Sequence, residues 1–234
     1  MEIKCFASSS KGNCYAVKSG QTEILIECGI SFKTIQKDLN FTVANLNGVL
    51  LSHSHNDHSR SARDMIKAGI DVFMSEQTVE EIGISGHRVK IVEPKKQLRV
   101  GEFDILPFDL KHDVFNLGFL VADREGEKLA YITDSFYCPY RFSGLTRILI
   151  ECNYALDILK ANVEAGTVPV ELKNRLLKSH FSLEHVKEFF QANDLSKVQE
   201  IYLLHLSDSN SDEARFKREI QELTGKPVII AGGN

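Results

Sequence analysis

The chain contains 234 residues, 43% of them hydrophobic and 26% charged, and carries a formal net charge of −4. This composition excludes a disordered or fibrous protein, and no apolar run approaches the ~20 residues that would span a bilayer. Because the acidic balance provides no general attraction for phosphate groups, a nucleic-acid substrate would require a local basic patch.

The first half of the chain predicts short strands with few helices. Strands are predicted at 2–7, 13–19 and 22–27, followed by a helix at 31–39 and a buried strand at 46–51. That strand ends directly at Ser52 and His53. A helix is predicted after it, because four apolar residues follow at near-helical spacing: Ala62, Met65, Ile66 and Ile70. Further strands are predicted at 71–74, 89–92, 97–100, 102–110, 117–123 and 128–132.

The second half predicts more helix. After a strand at 147–151, the predicted elements are helices at 154–163, 168–178 and 182–192, a strand at 200–205, a helix at 211–223 and a strand at 227–230. Two β-rich stretches, each followed by helices, predict an α/β fold of four layers in which two packed mixed sheets are flanked by helices. No linker or repeat divides the chain, so we predict a single domain over residues 1–234.

The cysteines and the N-terminal segment indicate the compartment. The five cysteines are odd in number, have no CxxC pairing and mostly lie in apolar, strand-like stretches, which predicts reduced and buried thiols. The N-terminal stretch lacks the basic and apolar regions of a secretory signal. We therefore expect a cytoplasmic protein.

The run His53-Ser54-His55-Asn56-Asp57-His58 gathers three imidazoles and one carboxylate between a strand and a helix. This mixed nitrogen and oxygen set suits Zn²⁺ and related divalent ions. Residues 53 and 55 can face one position while 57 and 58 face a second, so that one segment could serve two ions. The alternative is a solvated polar loop that caps the next helix, with Asp57 near the positive end of the helix dipole.

This run resembles the signature of the metallo-β-lactamase superfamily. Three more ligand residues of that family are matched at the ends of predicted strands: His112, Asp134 and His205. The resemblance implies two divalent ions, Zn²⁺ or Mn²⁺, held by His53, His55 and His112 and by Asp57, His58 and His205, respectively. Asp134 would bind both ions. A bridging water would then ionise near neutral pH and act as the nucleophile, with Asp57 orienting it or accepting its proton.

The strand before the histidine run resembles the first motif of the same family. This chain carries Glu27 where the family usually has Asp. The resemblance implies that Glu27 supports the metal-binding histidines, through a side chain longer by one methylene.

Three segments resemble the YycJ/WalJ-type members of the superfamily, namely residues 7–14, 150–154 and 178–182. This resemblance implies that four residues contact a substrate phosphate: Ser9, Gly12, Asn13 and His180. His180 would also act as the general acid for the leaving oxygen. The alternative is that Gly12 and Asn13 only form a turn, and that Glu151 and Asn153 only cap a helix.

The remaining charged residues and histidines permit two interpretations. Three basic residues just before His180 could form a local positive patch, although they also fit a solvated helix face: Lys173, Arg175 and Lys178. His87 is expected at the surface. His185 falls in the first turn of a predicted helix, where a capping or solvent-facing role is expected.

The leading hypothesis is a dinuclear metal-dependent phosphodiesterase, a 5′-to-3′ DNA exonuclease whose partner is nucleic acid. The alternative is hydrolysis of a small molecule, such as a cyclic phosphodiester, a thioester or a lactone, which the acidic net charge favours. A di-iron redox protein of the same fold is disfavoured, because such members carry Glu at the position of His55 and use a flavin partner domain. A metal-free scaffold is also disfavoured, since all seven ligand positions are filled. No membrane partner is predicted.

Overall fold

The computed structural model describes residues 1–232, which form two compact units. The first unit comprises residues 1–109 and 114–127, and the second comprises residues 110–113 and those from 128 onward. The predicted single domain over 1–234, whose last two residues lie outside the described part, stays a prediction. Within residues 1–232, no helix is long and apolar enough to cross a membrane.

The first unit is built on a six-stranded mixed sheet whose strands follow one another in chain order. Its strands are β1 (Glu2–Ser9), β2 (Gly12–Ser19), β3 (Thr22–Ile26), β4 (Gly48–Leu50), β5 (Val72–Met74) and β6 (Val89–Ile91). Strands β1 to β3 pair antiparallel, whereas β3 to β6 pair parallel. The helices between them are α1 (Phe32–Asp38), a 3-10 turn (Val43–Asn45), α2 (Asn56–Ser59), α3 (Ala62–Lys67) and α4 (Glu76–Ile82). Three strands follow in the chain: β7 (Leu98–Val100), β8 (Phe103–Leu110) and β9 (Asn116–Ala122).

Burial explains where the parallel strands of this sheet end. Strand β4 is buried along its whole length, and β3 is buried except at Glu23, as expected for central parallel strands. The apolar run therefore stops where polar residues begin, after Ile26 in β3 and after Leu51 beyond β4. Because the two strands are parallel neighbours, these carboxyl ends lie side by side, and the Glu27 N–H donates to the Leu50 carbonyl at 2.9 Å.

The second unit contains four parallel strands, β10 (Lys128–Ile132), β11 (Arg147–Glu151), β12 (Glu200–Leu204) and β13 (Val228–Ile230). Its helices are α5 (Leu156–Glu164), α6 (Val170–Ser179), α7 (Leu183–Ala192) and α8 (Glu213–Thr224). Ile132 pairs with Ile150, and Glu151 pairs with Leu204. This register brings three polar residues to the carboxyl edge of one sheet: Asp134, Glu151 and His205.

The helices bury the apolar faces that their sequences predict. Helix α7 buries Val186, Phe189 and Phe190, and the Ser182 hydroxyl accepts a hydrogen bond from the His185 N–H at its first turn. The cysteines also agree with expectation, since all five carry reduced thiols and four are buried. Burial raises the pKa of the thiols of Cys14, Cys28 and Cys152.

The predicted elements lie within about two residues of the observed ones at most positions, with two differences. Helix α4 was not predicted. The helix expected after the histidine run is two short helices, α2 and α3, and Ile70 lies beyond the second one. Helix α4 escapes prediction because its signals are at its ends, with Ser75 as N-cap and Gly83 in the left-handed region as C-cap, rather than in an apolar period.

Replacing the N-cap of α4 tests its contribution to stability. The Ser75 hydroxyl is buried and accepts a hydrogen bond from the Thr78 N–H at 3.0 Å. Ser75→Ala should lower the free energy of unfolding by about 1 kcal/mol, because that donor loses its partner. Urea denaturation measures the change. The exposed Ser85→Ala serves as control, and an equal effect of both substitutions would contradict the capping role.

Candidate metal centre

The histidine run of the first unit lies between β4 and α2. The short helix begins directly after His55, because the N–H groups of His58 and Ser59 both donate to the His55 carbonyl at 2.9 Å. This turn gathers the three imidazoles. The ring centroid of His53 is 4.7 Å from that of His55 and 4.2 Å from that of His58. His53 and His58 are fully buried.

Asp57 and His58 are spaced as two ligands of one ion. The Oδ2 atom of Asp57 lies 3.5 Å from the Nε2 atom of His58. Two donor atoms each ~2.0–2.2 Å from a tetrahedral zinc ion would lie ~3.3–3.5 Å apart. The observed spacing therefore fits a divalent ion held by both side chains.

Glu27 is fully buried beside the same pair of residues. One carboxylate oxygen accepts a hydrogen bond from the Ser52 N–H at 3.3 Å, and the other lies 3.5 Å from the Nδ1 atom of His58. The backbone of Glu27 is in the left-handed region, at a φ of 64°. The longer side chain thus reaches an imidazole of the histidine run, which supports the role that the resemblance implies.

Asn13 is also fully buried, and its amide contacts the histidine run. Its Nδ2 atom lies 3.1 Å from the Nε2 atom of His58 and 3.3 Å from the backbone oxygen of Asp57, while its Oδ1 atom accepts from the Tyr15 hydroxyl at 3.1 Å. The same Nδ2 atom donates to the Ser9 carbonyl at 3.1 Å. These contacts of Asn13 are with the protein itself, and its contact with substrate stays a prediction.

The turn after β3 packs against the backbone of the histidine run. The Cys28 N–H donates to the His58 carbonyl at 2.9 Å, and the Gly29 N–H donates to the Asn13 carbonyl at 2.8 Å. A Cβ atom at Gly29 would lie 1.6 Å from the backbone oxygen of Asp57. Only glycine permits this approach. Gly12 packs against the same turn, where a Cβ atom would lie 2.8 Å from the Gly29 carbonyl oxygen.

In the second unit, Asp134 lies between two histidines. Its Oδ1 atom is 3.6 Å from the Nδ1 atom of His205, and its Oδ2 atom is 3.8 Å from the Nε2 atom of His112. The Thr133 hydroxyl donates to the Oδ1 atom at 2.8 Å. Burial lowers the pKa of His112, which favours the neutral imidazole that a metal requires. Each oxygen of Asp134 thus faces a different histidine.

Glu151 is a candidate functional residue that the predicted site did not include. It is fully buried, and its Oε1 atom lies 2.6 Å from the Nδ1 atom of His180 and 3.0 Å from that of His205. Its Oε2 atom accepts from the N–H groups of Ser135 and Phe181, both at 3.2 Å. Burial acts to raise the pKa of Glu151, but the charge of His180 and the hydrogen bonds with His180 and His205 together outweigh it, and the pKa is lowered. The ligand atoms of four buried side chains here lie within 4.8 Å of one another: Asp134, Glu151, His180 and His205.

His180 and Asn153 complete this cluster. Burial acts to lower the pKa of His180, but the carboxylates of Glu151 and Asp134 together outweigh it, and the pKa is raised. Asn153 donates through Nδ2 to the His205 carbonyl at 2.8 Å. In the sequence, Glu151 and Asn153 belong to a segment that resembles YycJ/WalJ-type members of the superfamily, and a helix cap is the alternative interpretation. In the structure, Glu151 is hydrogen-bonded to the imidazoles of His180 and His205, and Asn153 is hydrogen-bonded to the His205 backbone.

One feature is shared by four of the histidines proposed as ligands. In each, the Nδ1 atom faces an oxygen atom of its own unit, which orients the ring and selects Nε2 as the candidate ligand atom. The pairs are His53 with the Ser52 hydroxyl at 2.8 Å, His58 with Glu27 at 3.5 Å, His112 with the Ser179 carbonyl at 3.0 Å and His205 with Glu151 at 3.0 Å. The residues present therefore fit divalent metal ions bound through imidazole Nε2 and carboxylate oxygen.

A family model described as a β-lactamase superfamily domain matches residues 22–205, which is most of the chain. The chain belongs to the metallo-β-lactamase superfamily. This confirms the family resemblance, and it places the chain among the hydrolases of that superfamily.

Two exodeoxyribonucleases are similar in sequence over most of their lengths. Exodeoxyribonuclease WalJ of Streptococcus pneumoniae is 27% identical over 222 residues, which cover 88% of this chain and 81% of WalJ. Exodeoxyribonuclease YycJ of Bacillus anthracis is 25% identical over 229 residues, which cover 91% of this chain and 85% of YycJ.

A solved structure shows the fold. The metallo-β-lactamase fold protein YhfI from Bacillus subtilis matches with a TM-score of 0.76 at 17% identity, over 99% of this chain and 96% of that chain. The predicted fold class, α/β with two mixed β-sheets flanked by helices, is thereby confirmed.

Replacing Gly29 tests whether the close approach maintains the histidine run. Gly29→Ala should lower the free energy of unfolding by about 3 kcal/mol and weaken metal binding, because the new methyl group would displace the backbone at Asp57. Urea denaturation and equilibrium dialysis with Zn²⁺ or Mn²⁺ measure the two effects. Gly86→Ala is the control for metal binding: its positive φ of 134° can cost stability, but a Cβ atom there meets nothing within 4 Å, so the histidine run stays in place. Unchanged metal binding in Gly29→Ala would contradict this role.

Replacing Glu151 tests whether its carboxylate orients His180 and His205. Glu151→Gln keeps the shape but removes the charge, so we expect metal affinity to fall about 10- to 100-fold, as for other groups that orient ligand histidines. The exposed Glu213→Gln on α8 is the matched control. Equal metal affinity in both variants would show that Glu151 is only structural.

Proposed function

We propose that this hydrolase is a metal-dependent phosphodiesterase that degrades DNA as a 5′-to-3′ exonuclease. The observation that carries the proposal is sequence similarity to two exodeoxyribonucleases over 88% and 91% of the chain, together with a complete set of metal-ligand residues. A cytoplasmic location for this activity stays a prediction.

We further propose how the ligands are divided between two divalent ions, Zn²⁺ or Mn²⁺. His53, His55 and His112 would bind the first ion and Asp57, His58 and His205 the second, with Asp134 a ligand of both. Family membership supports this assignment. Within the units, the spacing of Asp57 and His58 and the position of Asp134 between His112 and His205 also support it.

The ions would supply an activated water molecule and neutralise charge on the phosphate. The side chains supply proton transfer. Asp57 is half-buried and can accept a proton from the water through its carboxylate. His180 holds its Nδ1 atom on Glu151, so its Nε2 atom is the one that would donate a proton to the leaving oxygen. Asp57 and His180 are therefore the proposed catalytic residues.

The substrate contacts are proposed on the same basis. Ser9, Gly12 and Asn13, with His180, would lie along the path of a phosphate backbone. Helix α6 presents three basic side chains that are exposed or half-buried, available to a DNA strand: Lys173, Arg175 and Lys178. This patch would offset the acidic net charge of the whole chain.

The net charge of −4 favours a second candidate, hydrolysis of a small phosphodiester, thioester or lactone at the same residues. The two candidates differ in substrate alone. A panel of small esters and cyclic phosphates, assayed beside single-stranded DNA, separates them by the ratio of their kcat/KM values.

The direct test uses metal-depleted protein, reconstituted with Zn²⁺ or Mn²⁺, and DNA labelled at either end. We expect metal-dependent release of nucleotides from the 5′ end and hydrolysis of bis-p-nitrophenyl phosphate. His58→Ala should reduce both activities about 100-fold or more, because it removes a buried ligand.

His87→Ala is the matched control, because His87 is an exposed histidine of the same unit. Inactivity on both substrates, or equal activity of the two variants, would refute the proposal. Metal analysis that finds iron without zinc or manganese would instead favour the di-iron alternative.

A further inference from the structure

The second unit contains a pocket of about 140 Å³ that the proposed chemistry does not use. We call it the aromatic pocket and define it by Tyr137, Tyr140, Arg141, Phe181, His185 and Phe189. We propose that it binds one nucleobase of a single-stranded DNA substrate. This inference rests on the proposed function and names the part of the substrate that the second unit holds.

The walls of the aromatic pocket continue from the proposed catalytic segments. One wall belongs to the loop that begins at Asp134, and the Ser135 hydroxyl donates to the Tyr137 carbonyl at 2.9 Å within that loop. The other wall begins at Phe181, directly after His180, and continues along α7. A nucleotide whose phosphate is near His180 would therefore have its base within reach of the pocket.

The size and lining of the pocket fit a flat ring. A volume of about 140 Å³ lies below the ~300–1,000 Å³ of pockets for drug-sized ligands, so it suits a single planar group. Phe181 is fully buried, whereas Tyr137 is 49% exposed and would lose that exposure to a stacked ring. Stacking of a base on an aromatic side chain contributes ~1–3 kcal/mol and does not depend on sequence.

The charge of the rim also favours a neutral ligand. Arg141 and Glu188 both line the pocket, and both are exposed. One charge of each sign provides no net attraction for a phosphate or a carboxylate. A nucleobase is neutral, and the guanidinium of Arg141 can additionally stack on it.

The pocket is held open by a hydrogen-bonded side chain. Asn193 accepts a hydrogen bond from the Phe142 N–H at 2.7 Å and donates to the Phe189 carbonyl at 2.8 Å. The loop wall and the helix wall are thus joined directly. Such a preformed cavity binds a ring with little ordering of its own side chains.

The first test uses single-stranded DNA with one abasic residue placed at successive positions from the 5′ end. In the wild type, we expect kcat/KM to fall about 5- to 150-fold at one position, the equivalent of ~1–3 kcal/mol of stacking. Tyr137→Ala should reduce kcat/KM for intact DNA by a similar factor, with no further loss on the DNA that is abasic at that position. Phe41→Ala is the control, at an aromatic residue that is 75% exposed in the first unit. It should leave kcat/KM unchanged on both intact and abasic DNA.

The second test measures binding without catalysis. Thymidine 5′-monophosphate should bind the wild type at least ~5-fold more tightly than deoxyribose 5-phosphate, and Tyr137→Ala should remove the difference. Equal binding of the two compounds, or equal losses on intact and abasic DNA, would overturn the pocket proposal while leaving the exonuclease proposal standing. Absence of any DNA cleavage, with nucleotide binding intact, would overturn only the proposed function.

Discussion

Glu27 and Glu151 are fully buried carboxylates, and the placement of the neighbouring candidate ligand histidines depends on how these two charges are compensated. An isolated buried carboxylate costs several kcal/mol, so it must collect hydrogen-bond donors. Each of these residues lies at the end of a parallel strand and accepts a hydrogen bond from a backbone N–H. Glu151 is also hydrogen-bonded to the imidazoles of His180 and His205, and Glu27 lies 3.5 Å from the Nδ1 atom of His58. The need to compensate each charge is what orients the nearby histidines.

The oxygen atoms that face the Nδ1 atoms of these histidines belong to different chemical groups, and this affects the basicity of each imidazole. A carboxylate facing Nδ1 makes an imidazole more basic than a hydroxyl or a carbonyl does. His58 and His205 face carboxylates, whereas His53 faces a hydroxyl and His112 a carbonyl. Under the proposed assignment, the second ion would therefore have the more electron-rich nitrogen ligands, and the two ions would differ in affinity.

Much of the fold could be predicted from the sequence because buried parallel strands are continuous apolar runs that stop abruptly. His53, Asp134 and His205 each follow such a run, so their strand-end positions were predictable. Helix α4 was not, since its caps rather than its periodicity define it. Glu151 was not placed in the site, because a glutamate before a helix resembles an ordinary cap in sequence. Only its burial and its contacts with imidazoles reveal the difference.

The backbone at the strand ends sets opposing demands on stability and activity. Glu27, Asp134 and His205 are three of the six non-glycine residues with positive φ in the described chain, and such a conformation costs ~1–2 kcal/mol for most side chains. The local backbone conformation favours glycine at each of these positions, yet the chain carries a polar side chain at all three. Selection for thermal stability alone would therefore replace these residues first. The resulting variants would unfold at a higher temperature and lose activity.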